Sequence, residues 1–162
     1  MANNFKTTEK EEDEIKYSVI YNKKQRLITF TGEVIEEMVP LFSSAMKLLE
    51  NASNRPITIK LQTRGGDIDS GMNIIDTITQ SKCDVKIIAT GTVGSIGILI
   101  LAAGDKRESS QFTSFVHHED RLSFPEITPL SEIVKQVDQQ IHQDDIRCKW
   151  LANRTKLDFT TW

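Results

Sequence analysis

The chain of 162 residues is short of several things, and each shortage removes a class of function. Its two cysteines, Cys83 and Cys148, are far apart and in no metal-ligand spacing, so neither a disulfide-stapled scaffold nor a cysteine metal site is expected, and a reducing cytoplasm fits. Aromatic residues are 7% of the chain, no Lys/Arg block is interleaved with them, and the formal net charge is only −3. Nucleic acid and anionic membrane are therefore poor partners. The longest apolar run, Ile98 to Ala103, falls far short of the roughly 20 residues that span a bilayer. The opening "MANNFKTTEKEEDEIK" is too polar for a signal peptide, and beyond it there is no low-complexity tract and no internal repeat. What is present, 38% apolar and 27% charged residues, suits one soluble globular domain with a real core.

The chain divides by the period of its apolar residues. Residues 1–16 carry many charges and almost no apolar anchor, and read as a mobile arm ahead of a single domain over 17–162. Leu27 to Thr31 is a short β run. After the turn at Gly32, Val34, Met38, Leu41, Phe42, Ala45, Leu48 and Leu49 recur at helical spacing, with an interruption or tightening near Pro40. "PITIKLQ" is a second strand, and the next helix uses Ile68, Met72, Ile75 and Ile78. "VKIIAT" is a third strand, Ile96 to Ala103 a third helix stopped at Gly104, and "QFTSFVH" a fourth strand. A long final helix starts at Thr128 with Pro129 in its first turn. Alternating β and α elements predict an α/β fold with a mostly parallel sheet, whose ligands sit at the carboxyl ends of the strands.

Two such strand ends are rich in glycine: "TRGGD" after "ITIKLQ", and "GTVGS" after "VKIIAT". Each leaves backbone N–H groups unpaired at a helix start, where the helix dipole adds partial positive charge. Side by side, the N–H groups of Gly65 and Ile96 could point at one oxygen atom, with Ser95 beside it. On its own a serine between glycines is an ordinary turn residue, and no Lys-Ser/Thr follows to make a phosphate loop.

The segments "RLITFTGEV", "ITIKLQTRGGDIDSGMNIIDTI", "KCDVKIIATGTVGSIGILILAAGDKR" and "FVHHE" stand in the order and near the spacing found in the Clp-type serine peptidases, and the resemblance runs from about Arg26 to Thr155. It implies the crotonase-like fold of that family, with a handle region at about 119–150. By the same resemblance Ser95 is the nucleophile, His117 the base with His118 as near rival, and Gly65 and Ile96 the oxyanion donors. Gly66, Asp67 and Ile68 pair with an extended substrate. The chemistry suits these residue types: a serine hydroxyl needs an adjacent imidazole to take its proton, and the tetrahedral oxyanion needs donors fixed in advance. The implied substrate is an unfolded or short peptide, the implied partners a homo-oligomeric ring and an ATPase chaperone, and no cofactor or metal is expected.

Three departures qualify the resemblance. Arg64 stands where the family usually has proline, which suggests a bias toward acidic substrates. "HEDRLSFPEITP" replaces the Gln-Pro and glycine-rich strand that usually follow the histidine. The third triad member of the family, an Asp roughly a dozen residues past the position of Thr155, has no counterpart before Trp162, and Glu119, Asp120 and Asp158 are imperfect substitutes. Weak or no peptidase activity is therefore expected of this 162-residue form. Two other readings stay open: a catalytically silent structural or regulatory subunit, and a crotonase-like acyl-CoA-binding protein. Ser-Lys chemistry is a minor variant, because Lys106 lies past the far end of the helix that Ser95 begins.

Overall fold

Strict alternation builds the sheet. In Ile57–Thr63 every second residue (Ile57, Ile59, Leu61, Thr63) is buried, and Val85, Ile87 and Ala89 repeat the pattern one strand over. The computed structural model describes residues 17–118, 123–125 and 127–156. The expected arm over 1–16 and the carboxylates Glu119, Asp120 and Asp158 lie outside the described residues. The chain falls into two compact units, one closing at His117 and the other opening at His118.

The first unit runs β1 (Tyr17–Asn22), β2 (Leu27–Gly32), α1 (Met38–Ala52), β3 (Ile57–Thr63), α2 (Ile68–Thr79), β4 (Val85–Gly94), α3 (Ile96–Ala103), β5 (Lys106–Ser109) and β6 (Ser114–Val116). The sheet order is β1-β2-β3-β4-β5, with β6 also paired to β4. Every pairing is parallel except that of β1 with β2. The α/β, mostly parallel architecture expected from the sequence is therefore present, with β1 and β5 added to the four strands that periodicity identifies.

The helices cover one face of the sheet. Phe42 of α1 meets Phe30 of β2 edge to face, with ring centroids 5.9 Å apart, and α3 packs on β3 and β4 while α2 lies against both α1 and α3. Pro40 does not interrupt α1. The helix starts at Met38, so the proline occupies the first turn, where its missing N–H costs nothing. The buried face of α2 is Ser70, Gly71, Ile74, Ile75 and Ile78, rotated from the expected stripe because Gly71 comes up against Ile96.

β4 is longer than its apolar run predicts. Leu61 pairs with Ala89 but Thr63 with Val93, so β4 carries two extra residues at a bulge where Gly91 has φ +59°. The Ala89 carbonyl, at this point, accepts from Ser110 N–H (3.0 Å) and Thr113 Oγ1 (3.0 Å). Beyond the bulge β4 exchanges β5 for β6 as its neighbour. "GTVG" is thus strand, and the turn is confined to Ser95.

Arg26 ties the layers together. It is 4% exposed, has φ +52°, and its guanidinium donates to the carbonyls of Leu49 (2.7 Å), Pro56 (3.1 Å) and Arg55 (2.5 Å). One planar fork therefore closes the end of α1 and the entry to β3.

The second unit contains α4 (Leu130–Arg154). Pro129 is its cap residue and Thr128 lies outside it, the threonine hydroxyl donating instead to the Pro125 carbonyl (3.0 Å). Leu130, Val134 and Ile141 are exposed along α4, spaced with Val137 by alternating fours and threes.

Arg26→Lys should lower the unfolding free energy by about 2 kcal/mol, because a point-like ammonium lacks the planar fork that reaches three separate carbonyls. Urea denaturation reads this directly, and an unchanged midpoint would show that the carbonyls find other donors.

Candidate active site

The site forms where β4 runs out. Gly94 is the last strand residue and Ile96 the first of α3, so Ser95 alone makes the reversal, with φ +51° and ψ −130°. A non-glycine residue holds such a conformation only when its surroundings over-determine it. Ser95 N–H donates to the Val116 carbonyl (2.8 Å), and its own carbonyl accepts from Ile98 N–H (2.9 Å). Its side chain makes no capping hydrogen bond to α3, and the residue is half-buried. A strained strand-to-helix turn presenting a serine is the geometry of a nucleophile elbow.

Register sets the histidine. Gly94 pairs with Val116 across the parallel β4–β6 ladder, so Ser95 and His117 are the next residues out of two adjacent strand ends. Parallel strands lie about 4.8 Å apart, a separation short enough for a serine and an imidazole to meet. His117 closes the first unit and is exposed, whereas His118 opens the second.

The glycine turn lies directly against the serine. A Cβ on Gly65 would stand 2.6 Å from Ser95 Cβ and 3.1 Å from Ser95 Oγ, and Gly65 has φ +107°. Any other residue would be strained in backbone and would push the serine away. Gly66 is pressed on Val34 as closely, its would-be Cβ 2.2 Å from the Val34 carbonyl oxygen. Val34 N–H donates to Gly65 O (2.9 Å) and Asp67 N–H to Val34 O (2.8 Å), which pins the turn from outside.

These contacts narrow the expected substrate strand. Asp67 caps α2, its carboxylate accepting from Ser70 N–H (2.8 Å) and Ser70 Oγ (2.5 Å), and Ile68 is already helical. Gly66 and the cap residue Asp67 are both extended, but the Asp67 N–H is already bonded to Val34 O, which leaves Gly66 as the residue whose N–H and C=O project away from the Val34 edge by strand alternation.

The two expected oxyanion donors differ. Ile96 begins α3, so its amide is among those a helix leaves without an intrahelical acceptor, while its side chain is buried. Gly65 N–H donates to Thr63 Oγ1 at 3.0 Å. Nothing in the sequence pattern singled out Thr63; the available signal was a hydroxyl two residues before the glycine, the spacing of a side-chain turn.

Beside the turn is a cavity of about 530 Å³ whose lining includes Gly65 and Gly66 but not Ser95 or His117. Arg64 and Glu33 both line it, with Gln62 and Thr92. One charge of each sign offsets the acidic bias expected from Arg64 alone.

A strand-end serine in a strained turn, a histidine one residue past the end of the neighbouring strand and a glycine turn in contact with the serine have the layout of a serine-hydrolase type of site on a mostly parallel α/β sheet. A family model described as Clp protease matches residues 9–152, and the chain belongs to the Clp protease family, a family of serine-type peptidases. A protein of Carsonella ruddii (strain PV) named ATP-dependent Clp protease proteolytic subunit is 28% identical over 139 residues, covering 84% of this chain and 71% of that one. A protein of the same name from Borreliella afzelii (strain PKo) is 33% identical over 105 residues, covering 62% of this chain and 53% of that one. The chain thus spans about half the length of the second relative. A solved structure of a ClpP1 mutant from Listeria monocytogenes superposes with a TM-score of 0.75 at 29% identity, covering 86% of this chain and 77% of that one.

Gly65→Ala should reduce reaction of Ser95 with a fluorophosphonate by about 100-fold or more, since the methyl must displace the serine from its turn. Labelling at the wild-type rate would mean that the close contact has no part in reactivity.

Proposed function

We propose that the chain is the peptide-hydrolysing subunit of a Clp-type protease, acting through Ser95 and His117. What carries the reading is the contact of Gly65 with Ser95 at the point where the register sets His117 alongside. Ser95 Oγ attacks the scissile carbonyl while His117 takes its proton, and the acyl-enzyme is then released by water with the histidine acting in reverse. The oxyanion is held by the amides of Ile96, left free at the start of α3, and of Gly65. The substrate main chain pairs with Gly66, so recognition is of backbone more than of sequence and suits unfolded or short peptides.

Assembly into a homo-oligomeric ring is supported by the exposed apolar row Leu130, Val134 and Ile141 on α4, an unusual cost for a surface helix that stays in water. An ATPase chaperone feeding such a ring is the partner we propose, a reading supported by relatives named as proteolytic subunits of an ATP-dependent protease. Among the described residues no helix is long and apolar enough to cross a membrane. We propose a reducing compartment, the cytoplasm, because the two cysteines stand in no disulfide or metal spacing.

Fluorophosphonate labelling should be abolished by Ser95→Ala, lowered about 10³-fold or more by His117→Ala, and nearly unchanged by His118→Ala. Labelling that survives Ser95→Ala would sink the assignment of the nucleophile, and a loss confined to His118→Ala would transfer the base.

Sedimentation at micromolar concentration should show a multi-subunit particle, and the double change Val134→Glu with Ile141→Glu should dissociate it with helix content intact. A wild-type monomer throughout that range would refute the assembly.

A further inference from the structure

We propose that Thr63 is a positioning residue that holds the Gly65 amide at rest and yields it to the oxyanion during attack. The inference rests on the reading of Ser95 as nucleophile. Thr63 is 2% exposed, and its hydroxyl both accepts from Gly65 N–H (3.0 Å) and donates to Gly65 O (3.3 Å). It cannot turn away from this task. Its methyl group lies against α3 so closely that a Cβ on Gly97 would stand 2.5 Å from Thr63 Cγ2, which fixes which arm of the threonine faces the glycine.

Gly65 lies against Ser95 and is itself buried, so an N–H with no acceptor there would be costly whenever no substrate is bound. A neutral hydroxyl meets that need. It is a weaker acceptor than the oxygen of a tetrahedral intermediate, because hydrogen bonds to an anion are roughly twice as strong as those between neutral groups. The amide therefore belongs to Thr63 in the free enzyme and passes to the substrate oxygen as charge develops on it. Its transfer breaks a bond that the resting enzyme makes, so the hydroxyl stabilises the fold and at the same time opposes acylation.

That opposition separates this role from a purely structural one. Thr63→Val keeps the shape and removes the acceptor. In the full chain it should raise the second-order rate of fluorophosphonate labelling at Ser95 about fivefold while lowering the melting temperature by several degrees. Thr63→Ser keeps the hydroxyl and should label within about twofold of wild type. In the wild-type chain the ¹H–¹⁵N resonance of the Gly65 amide should shift on phosphonylation, whose polarised phosphoryl oxygen stands in for the oxyanion.

Valine labelling at or below the wild-type rate, with a lower melting temperature, would reduce Thr63 to a structural residue and overturn the proposal. If Thr63→Val does not fold, an unmoved Gly65 resonance on phosphonylation of the wild type overturns it equally. A folded wild-type chain that takes no label at all marks a different failure, that of the nucleophile assignment, and the role of Thr63 falls with it.

Discussion

Everything about the site depends on two backbones coming closer than side chains normally permit. Gly65 and Ser95 belong to different strand ends, and the space between them would not hold a methyl group. Parallel pairing of β3 with β4 brings these ends together, but regular pairing would not bring the right residues. The two-residue bulge in β4 carries the strand beyond the end of β3, so that Gly94 sits over the Arg64 carbonyl and Ser95 over Gly65. The same bulge moves β4 from β5 to β6, and that exchange aligns Val116 with Gly94 and His117 with the serine. The positive φ of Ser95 persists because both of its backbone groups are bonded and a glycine stands beneath it.

Stability elsewhere holds this strain in place. Arg26 satisfies three carbonyls at the junction of α1 and β3, and the strand it steadies ends at Thr63 and the glycine turn. Val34 bonds the turn on both sides of Gly66, coupling the exit of β2 to the start of α2. Their common effect is to leave the turn a single position.

Local pattern made the scaffold legible, and long-range geometry hid the rest. α3 runs from Ile96 to Ala103 as read from the sequence, because a helix start at a glycine-flanked serine and a stop at Gly104 are both local signals. The alternation in "PITIKLQ" and "VKIIAT" likewise declares two strands buried on one face. β1 escapes the sequence pattern because "YSVIYN" gains its strand partner only through antiparallel pairing with β2. Gly91 and Gly94 are turn residues by composition, so the bulge looks like a turn in the sequence, and only the ladder to β6 shows the strand continuing. The apolar pattern does not point to the true face of α2, because a glycine packed against Ile96 counts for nothing in hydrophobicity. Gly65 lies against Ser95 although thirty residues separate them in the chain. Thr63 and Val34, which govern where the Gly65 backbone points, act through hydrogen bonds that no periodicity encodes.

The substitution of Arg64 for the family's usual proline follows from the same hydrogen bonds. A proline before the first glycine fixes φ and removes one amide, restricting the approach to the turn. Here the turn is restrained from its other side: Gly65 O accepts from Val34, Asp67 N–H donates back to it, and the Asp67 carboxylate fastens the helix that follows. The Thr63 hydroxyl then bonds both backbone groups of Gly65. With the peptide held at four points, the residue between Thr63 and Gly65 need not be rigid. Its side chain is exposed along a cavity wall that also carries Glu33, and its carbonyl keeps the contact with Gly94 that positions the strand end. The ring that would stiffen the chain by covalent means is thus replaced by a hydrogen-bond frame, and an arginine is tolerated because the frame uses its backbone alone.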